Sequence, residues 1–216
     1  MLKLYDFFTS GAAMRVRIAL HLKQLDYETI TVNLTKNGGE QFSSHYKSIN
    51  PQGRVPTLID SDAVLYQSLA IIEYLEEKYP QPPLLPQDRV ERAKARAIAQ
   101  IIACDIHPLN NMSVLKYLMG ECKLNEDQKN IWYQHWTTLG FQTIEAILSN
   151  NPATSKCCFG DWPTLADIYL IPSIANARRL QYPMDNYPTM NRIFDYCSTL
   201  PAFIKARPEN HPDVTR

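Results

Sequence analysis

Val55-Pro56-Thr57-Leu58-Ile59-Asp60-Ser61-Asp62-Ala63-Val64-Leu65-Tyr66-Gln67-Ser68 is the stretch whose reading decides the fold. Two short apolar runs flank the turn Asp60-Ser61-Asp62, which predicts a β-hairpin. Gln67-Ser68 then opens Leu69-Ala70-Ile71-Ile72-Glu73-Tyr74-Leu75-Glu76-Glu77-Lys78-Tyr79, a helix stopped by Pro80, with Ser68 placed as its N-cap. A hairpin feeding a helix needs further strands to bury its apolar face.

Those strands lie upstream. Leu2-Lys3-Leu4-Tyr5 alternates as a first strand, and Phe7 to Ala13 makes a turn holding Ser10 and Gly11. Arg15 to Leu22 follows as a helix, with Ile18, Leu22 and Leu25 on one face. Tyr27 to Leu34 reads as a second strand, and Gly38 to Ile49 as a loop and short helix before Asn50-Pro51. The order β-α-β-α-β-β-α fits a compact α/β domain over residues 1–80. Four prolines between Pro80 and Pro86 predict a stiff linker, residues 81–87. Residues 88–216 read as an all-α domain, with helices over Arg89 to Met119, Leu124 to Ser149, Leu165 to Leu180 and Tyr187 to Leu200, the first bent at Pro108.

Lys+Arg and Asp+Glu balance at 22 each in 216 residues, so no net field favours nucleic acid or an anionic membrane. Lys3, Asp6, Arg15 and Arg17 interrupt the first 22 residues, which excludes a secretory signal there. The five cysteines (Cys104, Cys122, Cys157, Cys158, Cys197) show neither C-x-x-C nor zinc spacing, so no metal is expected. Reduced thiols in a cytoplasmic protein are the simplest reading, and adjacent Cys157-Cys158 reads as packing.

Three features carry chemistry. Thr9-Ser10-Gly11-Ala12 joins a strand's carboxyl end to a helix's amino end, where free N–H groups and the helix dipole favour an anion, including a thiolate. The Ser10 hydroxyl adds a directed donor there, though simple helix capping explains it as well. Val55-Pro56 enters a strand, and a cis bond would expose a backbone N–H and C=O to an extended peptide. Gln67-Ser68 offers an amide, a hydroxyl and another helix amino end, suited to a carboxylate or to ordinary capping.

Ser10 with Arg15-Val16-Arg17-Ile18-Ala19-Leu20, Asn50-Pro51-Gln52-Gly53-Arg54-Val55-Pro56-Thr57-Leu58 and Gln67-Ser68-Leu69-Ala70-Ile71-Ile72-Glu73-Tyr74-Leu75 resemble the thioredoxin-like domain of cytosolic glutathione transferases. Asp105-Ile106-His107-Pro108-Leu109-Asn110-Asn111 and Thr164-Leu165-Ala166-Asp167 extend the resemblance to about Asp213, and the Arg15 to Leu20 and Asp105 to Asn111 strings narrow it to the zeta class, which includes maleylacetoacetate and maleylpyruvate isomerases. The resemblance implies that glutathione is bound: its sulfur by Ser10 beside Gly11, Ala12 and Arg15, its cysteinyl part by Val55 next to cis-Pro56, and its γ-glutamyl carboxylate by Gln67 and Ser68. It further implies that Gln41 and His107 reach the glycyl end or nearby groups, that Asn111, Met112 and Ser113 line the site, and that Asp105 faces the glutathione of a second subunit in a homodimer. Arg179 would read a substrate carboxylate, a task that suits a guanidinium fork, although cations are also common at a helix carboxyl end. Thr164 and Asp167 resemble the family's buried capping box.

The implied reaction is glutathione-dependent cis–trans isomerisation of a conjugated diacid, maleylacetoacetate to fumarylacetoacetate in tyrosine and phenylalanine breakdown, by nucleophilic catalysis with a borrowed thiolate. Two rivals stand beside it: a glutathione transferase or peroxidase acting on electrophiles such as α-halo acids, and a non-catalytic interaction protein. Ala12 stands where zeta enzymes carry cysteine, which excludes chemistry through that thiol. Thr9 and Ser113 stand where related enzymes carry arginine, so a diacid would lean on Arg179, with Arg15 or Arg178 as helpers.

Overall fold

The computed structural model describes residues 1–214; residues 215 and 216, the end of the expected helical domain, lie outside the described residues. The chain divides into two compact units, Met1–Leu84 with the segment from Thr199 onward, and Leu85–Ser198.

In the first unit the strands β1 (Leu2–Asp6), β2 (Tyr27–Thr31), β3 (Thr57–Asp60) and β4 (Ala63–Tyr66) form one sheet in the order β2-β1-β3-β4. β1 and β2 run parallel, with α1 (Gly11–Leu22) as the crossover. β3 is antiparallel to β1, pairing Leu4 with Leu58, and β4 is antiparallel to β3. The short α2 (Ser44–Ile49) precedes β3, and α3 (Ser68–Lys78) follows β4, completing the βαβαββα order. Leu4, Val16, Ile18, Leu20, Leu58, Ile71 and Leu75 are fully buried between sheet and helices. Ser68 is the first residue of α3 and not its cap. Gln67 holds the cap position with φ 73°, a left-handed backbone that its side chain does nothing to cap.

Two of the buried cations, Lys23 and Arg17, tie this unit together. Lys23, at the end of α1, reaches Glu76 at 2.7 Å and the carbonyl of Pro82 at 3.0 Å, which ties the proline-rich stretch to α3. Arg17 is 2% exposed and donates through Nη1 to both Asp6 carboxylate oxygens at 2.7 Å, through Nη2 to the Phe8 carbonyl at 3.1 Å, and through Nε to the Ala206 carbonyl at 3.0 Å. His211, also buried, faces Asp6 at 3.2 Å through Nε2, while its Nδ1 accepts from the Asp213 N–H. These contacts draw the segment after Thr199, expected in the helical domain, onto the α/β unit. That segment also holds α9 (Pro201–Lys205), a short helix beyond the expected ones.

The second unit is helical. α4 (Arg89–Gln100) begins with the Asp88 carboxylate accepting from the N–H groups of Val90 and Glu91. The single helix expected over Arg89 to Met119 is three pieces. α4 widens into a π-turn over Ile101–Ile106, where the His107 N–H bonds to the Ile102 carbonyl, and α5 (Met112–Gly120) restarts behind an Asn111 cap. Pro108 has no N–H to continue the α ladder, and the chain loosens one turn before it. α6 (Glu126–Ser149) opens with an Asn125–Gln128 capping box, and Gly140 on it has no room for a Cβ against the Ile106 side chain, so the π-turn packs directly on its backbone.

α7 (Leu165–Arg179) is buried on nearly every side from Leu165 to Pro172, the pattern of a central core helix. Asp167 is fully buried, its carboxylate accepting from the Thr164 N–H (2.8 Å), the Thr164 hydroxyl (2.9 Å) and the Cys158 N–H (2.8 Å). Cys157 and Cys197 come within 4.8 Å of the same carboxylate. A hydrogen bond with Cys157 and burial push the Cys197 thiol well up, and burial does the same to Cys158, so these are neutral packing groups. The Glu145 carboxylate accepts from the N–H groups of Thr189 and Met190 and caps α8 (Pro188–Cys197). Among the described residues no helix is long and apolar enough to cross a membrane.

Burial alone would raise the Asp6 carboxyl, but the His211 hydrogen bond and the Arg17 charge outweigh it and hold the group below its ordinary 3.8. A depressed carboxyl stabilises the fold fully above that ordinary value and loses its contribution as pH falls through the lower folded value. Removing one partner of a buried ion pair costs about 3–5 kcal/mol. Arg17→Met should lower the unfolding free energy in urea by that amount, and the acid-side loss of stability should shrink in Asp6→Asn.

Candidate functional site

The strand register places three candidate segments at one edge of the sheet. Tyr5 pairs with Thr57 and Thr57 with Tyr66, so the carboxyl ends of β1 and β4 and the amino end of β3 lie together. The turn with Ser10, the Val55-Pro56 step and Gln67-Ser68 all emerge there.

Ser10 caps α1 from an extended backbone, φ −72° and ψ 113°, and its Oγ accepts from the Ala13 N–H at 3.2 Å. A serine hydroxyl that accepts in this way keeps its own proton to donate outward. The first turn of α1, with Gly11 and Ala12 half-buried, carries no acidic residue, so the positive end of the helix dipole has no counter-charge from its own first turn. Arg17 donates to the carbonyl of Phe8, two residues before Ser10, and thereby anchors the turn. Arg15 is 3% exposed within α1.

The Val55-Pro56 peptide is cis, Pro56 is buried and Val55 half-buried. The ladder begins at Thr57, so the N–H and C=O of Val55 stand outside it. A brace holds this loop. The Tyr46 hydroxyl donates to the Arg54 carbonyl at 2.7 Å and meets the Thr57 hydroxyl at 2.8 Å. The buried Asn50 amide donates to the same two groups, each at 2.9 Å. Burial pushes the Tyr46 phenol up, which keeps it a donor.

Gln67 is exposed, and its carboxamide donates to Gln52 at 2.9 Å. Its φ of 73° is a conformation that costs on the order of 1–3 kcal/mol for a residue with a side chain and that clusters at ligand sites. Ser68 is buried at the start of α3, whose first turn also lacks an acidic residue. Gln41 is buried with its carbonyl Oε1 unpartnered, a costly arrangement that a ligand donor would relieve. Gly39, at φ 111°, leaves the space this carboxamide fills; a Cβ there would lie 2.8 Å from the Gln41 Cδ.

The remaining candidates sit in the helical unit. Asp105 is exposed on the π-turn and His107 is half-buried just after it. Asn111 caps α5, its Oδ1 accepting from the Ser113 N–H and hydroxyl at 3.0 Å each, while Met112 is 43% exposed. Arg179 ends α7, exposed, and donates to the Asn176 carboxamide oxygen at 2.8 Å. Arg178, weighed from sequence as a helper, is committed elsewhere. It donates to Asn191 at 2.8 Å, faces Asp195 and lies 4.1 Å over the Phe194 ring, all on α8.

The functions of Arg17, Tyr46 and Asn50 were not assigned from sequence. The available signal was a basic residue on the otherwise apolar face of α1, and an Asn-Pro step before the cis proline.

Residues 4–83 match the family described as glutathione S-transferase, N-terminal domain. A relative in Vibrio cholerae named probable maleylacetoacetate isomerase is 45% identical, with 98% of this chain and 97% of that protein covered. A holo structure of maleylpyruvate isomerase, described as a bacterial glutathione S-transferase in the zeta class, superimposes with a TM-score of 0.94 at 44% identity, covering 98% of this chain and 99% of the other. Maleylacetoacetate isomerase of Methylobacterium extorquens AM1, solved with malonate and glutathione bound, gives a TM-score of 0.92 at 39% identity, with 98% of both chains covered. The chain belongs to the zeta class of the glutathione S-transferase family.

Proposed function

We infer that this protein is a glutathione-dependent cis–trans isomerase of a conjugated diacid, with maleylacetoacetate as the substrate. The observation that carries the reading is the Ser10 turn, with its uncompensated helix end, in a chain similar end to end to maleylacetoacetate and maleylpyruvate isomerases. The residues present suit the tripeptide. The unpartnered Gln41 oxygen, the Val55 backbone outside the ladder and two helix amino ends without acidic residues are groups that an extended anionic peptide would satisfy. Bound there, glutathione supplies a thiolate that adds reversibly to the conjugated double bond and so frees it to rotate.

The chain's own groups would do the rest. The Ser10 hydroxyl and the α1 amino end keep the sulfur negatively charged, because an N–H-lined helix end stabilises an anion. Val55 pairs its backbone with the cysteinyl part, Gln67 and Ser68 take the γ-glutamyl carboxylate, and Gln41 and His107 hold the glycyl end. Asn111 to Ser113 line the substrate side. Arg179 spends one of its five N–H donors on Asn176 and keeps the rest to grip the distal carboxylate and orient the double bond. Asp105, exposed on the π-turn, faces a second copy in a homodimer, and the protein works in the cytoplasm.

Ser10→Ala should cut isomerase turnover by at least about a hundredfold, the scale set by removing one oxyanion-type donor, while costing only about 1 kcal/mol of stability as a lost cap. Turnover within twofold of the parent would sink the assignment; faster turnover of α-halo acids than of the diacid would favour the transferase reading. Gly39→Ala should push the Gln41 carboxamide aside and weaken glutathione binding about tenfold by calorimetry, the worth of one good hydrogen bond.

A further inference from the structure

We propose that Asn176 and Tyr133 are positioning residues that hold the Arg179 guanidinium ready for the substrate carboxylate. This rests on the reading of Arg179 given above.

Arg179 is the last residue of α7 and is exposed. A long side chain on a fraying helix end samples many rotamers, and any order imposed before binding need not be imposed by the substrate. The order here comes from a chain of hydrogen bonds. Arg179 Nη2 donates to Asn176 Oδ1 at 2.8 Å, and the two residues are three apart on one helical face. Asn176 Nδ2 donates to the Tyr133 hydroxyl oxygen at 3.3 Å on α6. With its oxygen toward a cation and its nitrogen toward a phenol oxygen, the carboxamide has one satisfied orientation; flipped, it would set N–H against guanidinium.

The anchor continues inward. Thr137, buried on α6 one turn beyond Tyr133, accepts from Asn110 Nδ2 at 3.0 Å. Asn110 also donates to the Tyr133 carbonyl. Burial pushes the Tyr133 phenol up and outweighs the lowering by its polar neighbours, so the phenol remains protonated at neutral pH. The network therefore runs from the loop after the π-turn, through α6, to the end of α7. No other cation of α7 competes for this role, because Arg178 is spent on α8.

Steady-state kinetics on two substrates test this: maleylacetoacetate, and an uncharged activated aryl halide that uses glutathione but offers no carboxylate. Asn176→Ala should raise KM for the diacid about tenfold, with kcat changed less than about threefold, the pattern of lost carboxylate positioning. Tyr133→Phe should raise the same KM by about three- to fivefold. Both variants should handle the aryl halide within about twofold of the parent, and neither should matter once Arg179 is already alanine, since residues acting through one partner are not additive. Equal losses on both substrates, or an Asn176→Ala effect undiminished in the Arg179→Ala background, would mean a merely structural role and overturn the proposal. The Tyr133→Phe arm carries the test if Asn176→Ala does not fold. A raised diacid KM in Arg179→Ala without one in Asn176→Ala or Tyr133→Phe defeats the positioning role alone. An unchanged KM in Arg179→Ala defeats the reading of Arg179 itself.

Discussion

The guanidinium of Arg17 is buried between the end of β1, the turn that follows it and the carboxyl-terminal segment, and it bonds to all three. Such a cation is tolerated only if its donors are answered, and the Asp6 carboxylate with two backbone carbonyls answers them. The geometry of the Ser10 turn follows from this. Asp6 fixes where the strand ends, the Phe8 carbonyl fixes the path of the turn, and the helix carrying Arg17 starts at the next residue after Ser10. The same guanidinium holds the tail, so the surface segment farthest away in sequence contributes to the rigidity of the turn nearest the amino terminus.

Around that anchor, the sheet edge is built to leave polar groups unspent. Two helices start there with no acidic residue in the first turn, one proline removes a ladder donor, and a buried glutamine oxygen stays open. Each omission costs folding free energy, and Gln67 adds backbone strain. Elsewhere the protein does the opposite: Asp88, Asn125, Glu145 and Asp167 each satisfy helix or loop N–H groups with a side chain. At the sheet edge, by contrast, α1 is capped by the Ser10 hydroxyl alone and α3 by no side chain, with no carboxylate at either end, which is the pattern expected where an anionic ligand completes the structure.

The βαβαββα order, the proline-rich stretch and the long helices were legible because they rest on local pattern, namely alternation, helical spacing and proline stops. The π-turn was not, because a proline announces where a helix must fail but not how the preceding turn relaxes. The cap of α3 was misread for a related reason: Ser68 has the right chemistry, yet the strand exit forces Gln67 into the left-handed region and moves the helix start by one residue. Long-range polar contacts were least visible. Nothing local says that Arg17 meets Ala206, that Arg178 turns to α8, or that Asn110 and Asn176 meet Tyr133 from opposite sides of the chain. The turn of Ser10 could be named from sequence, but what holds it in place could not.

The most direct measurement of the central claim is the ionisation of the glutathione thiol when bound, followed by ultraviolet absorbance of the thiolate against pH. A free thiol titrates near about 8.5. In complex with this protein it should ionise at least about one unit lower, because a hydroxyl donor and an open helix end stabilise the anion, and the shift should largely vanish in Ser10→Ala. A bound thiol that titrates at its free value, or a shift that survives loss of the Ser10 hydroxyl unchanged, would contradict the account.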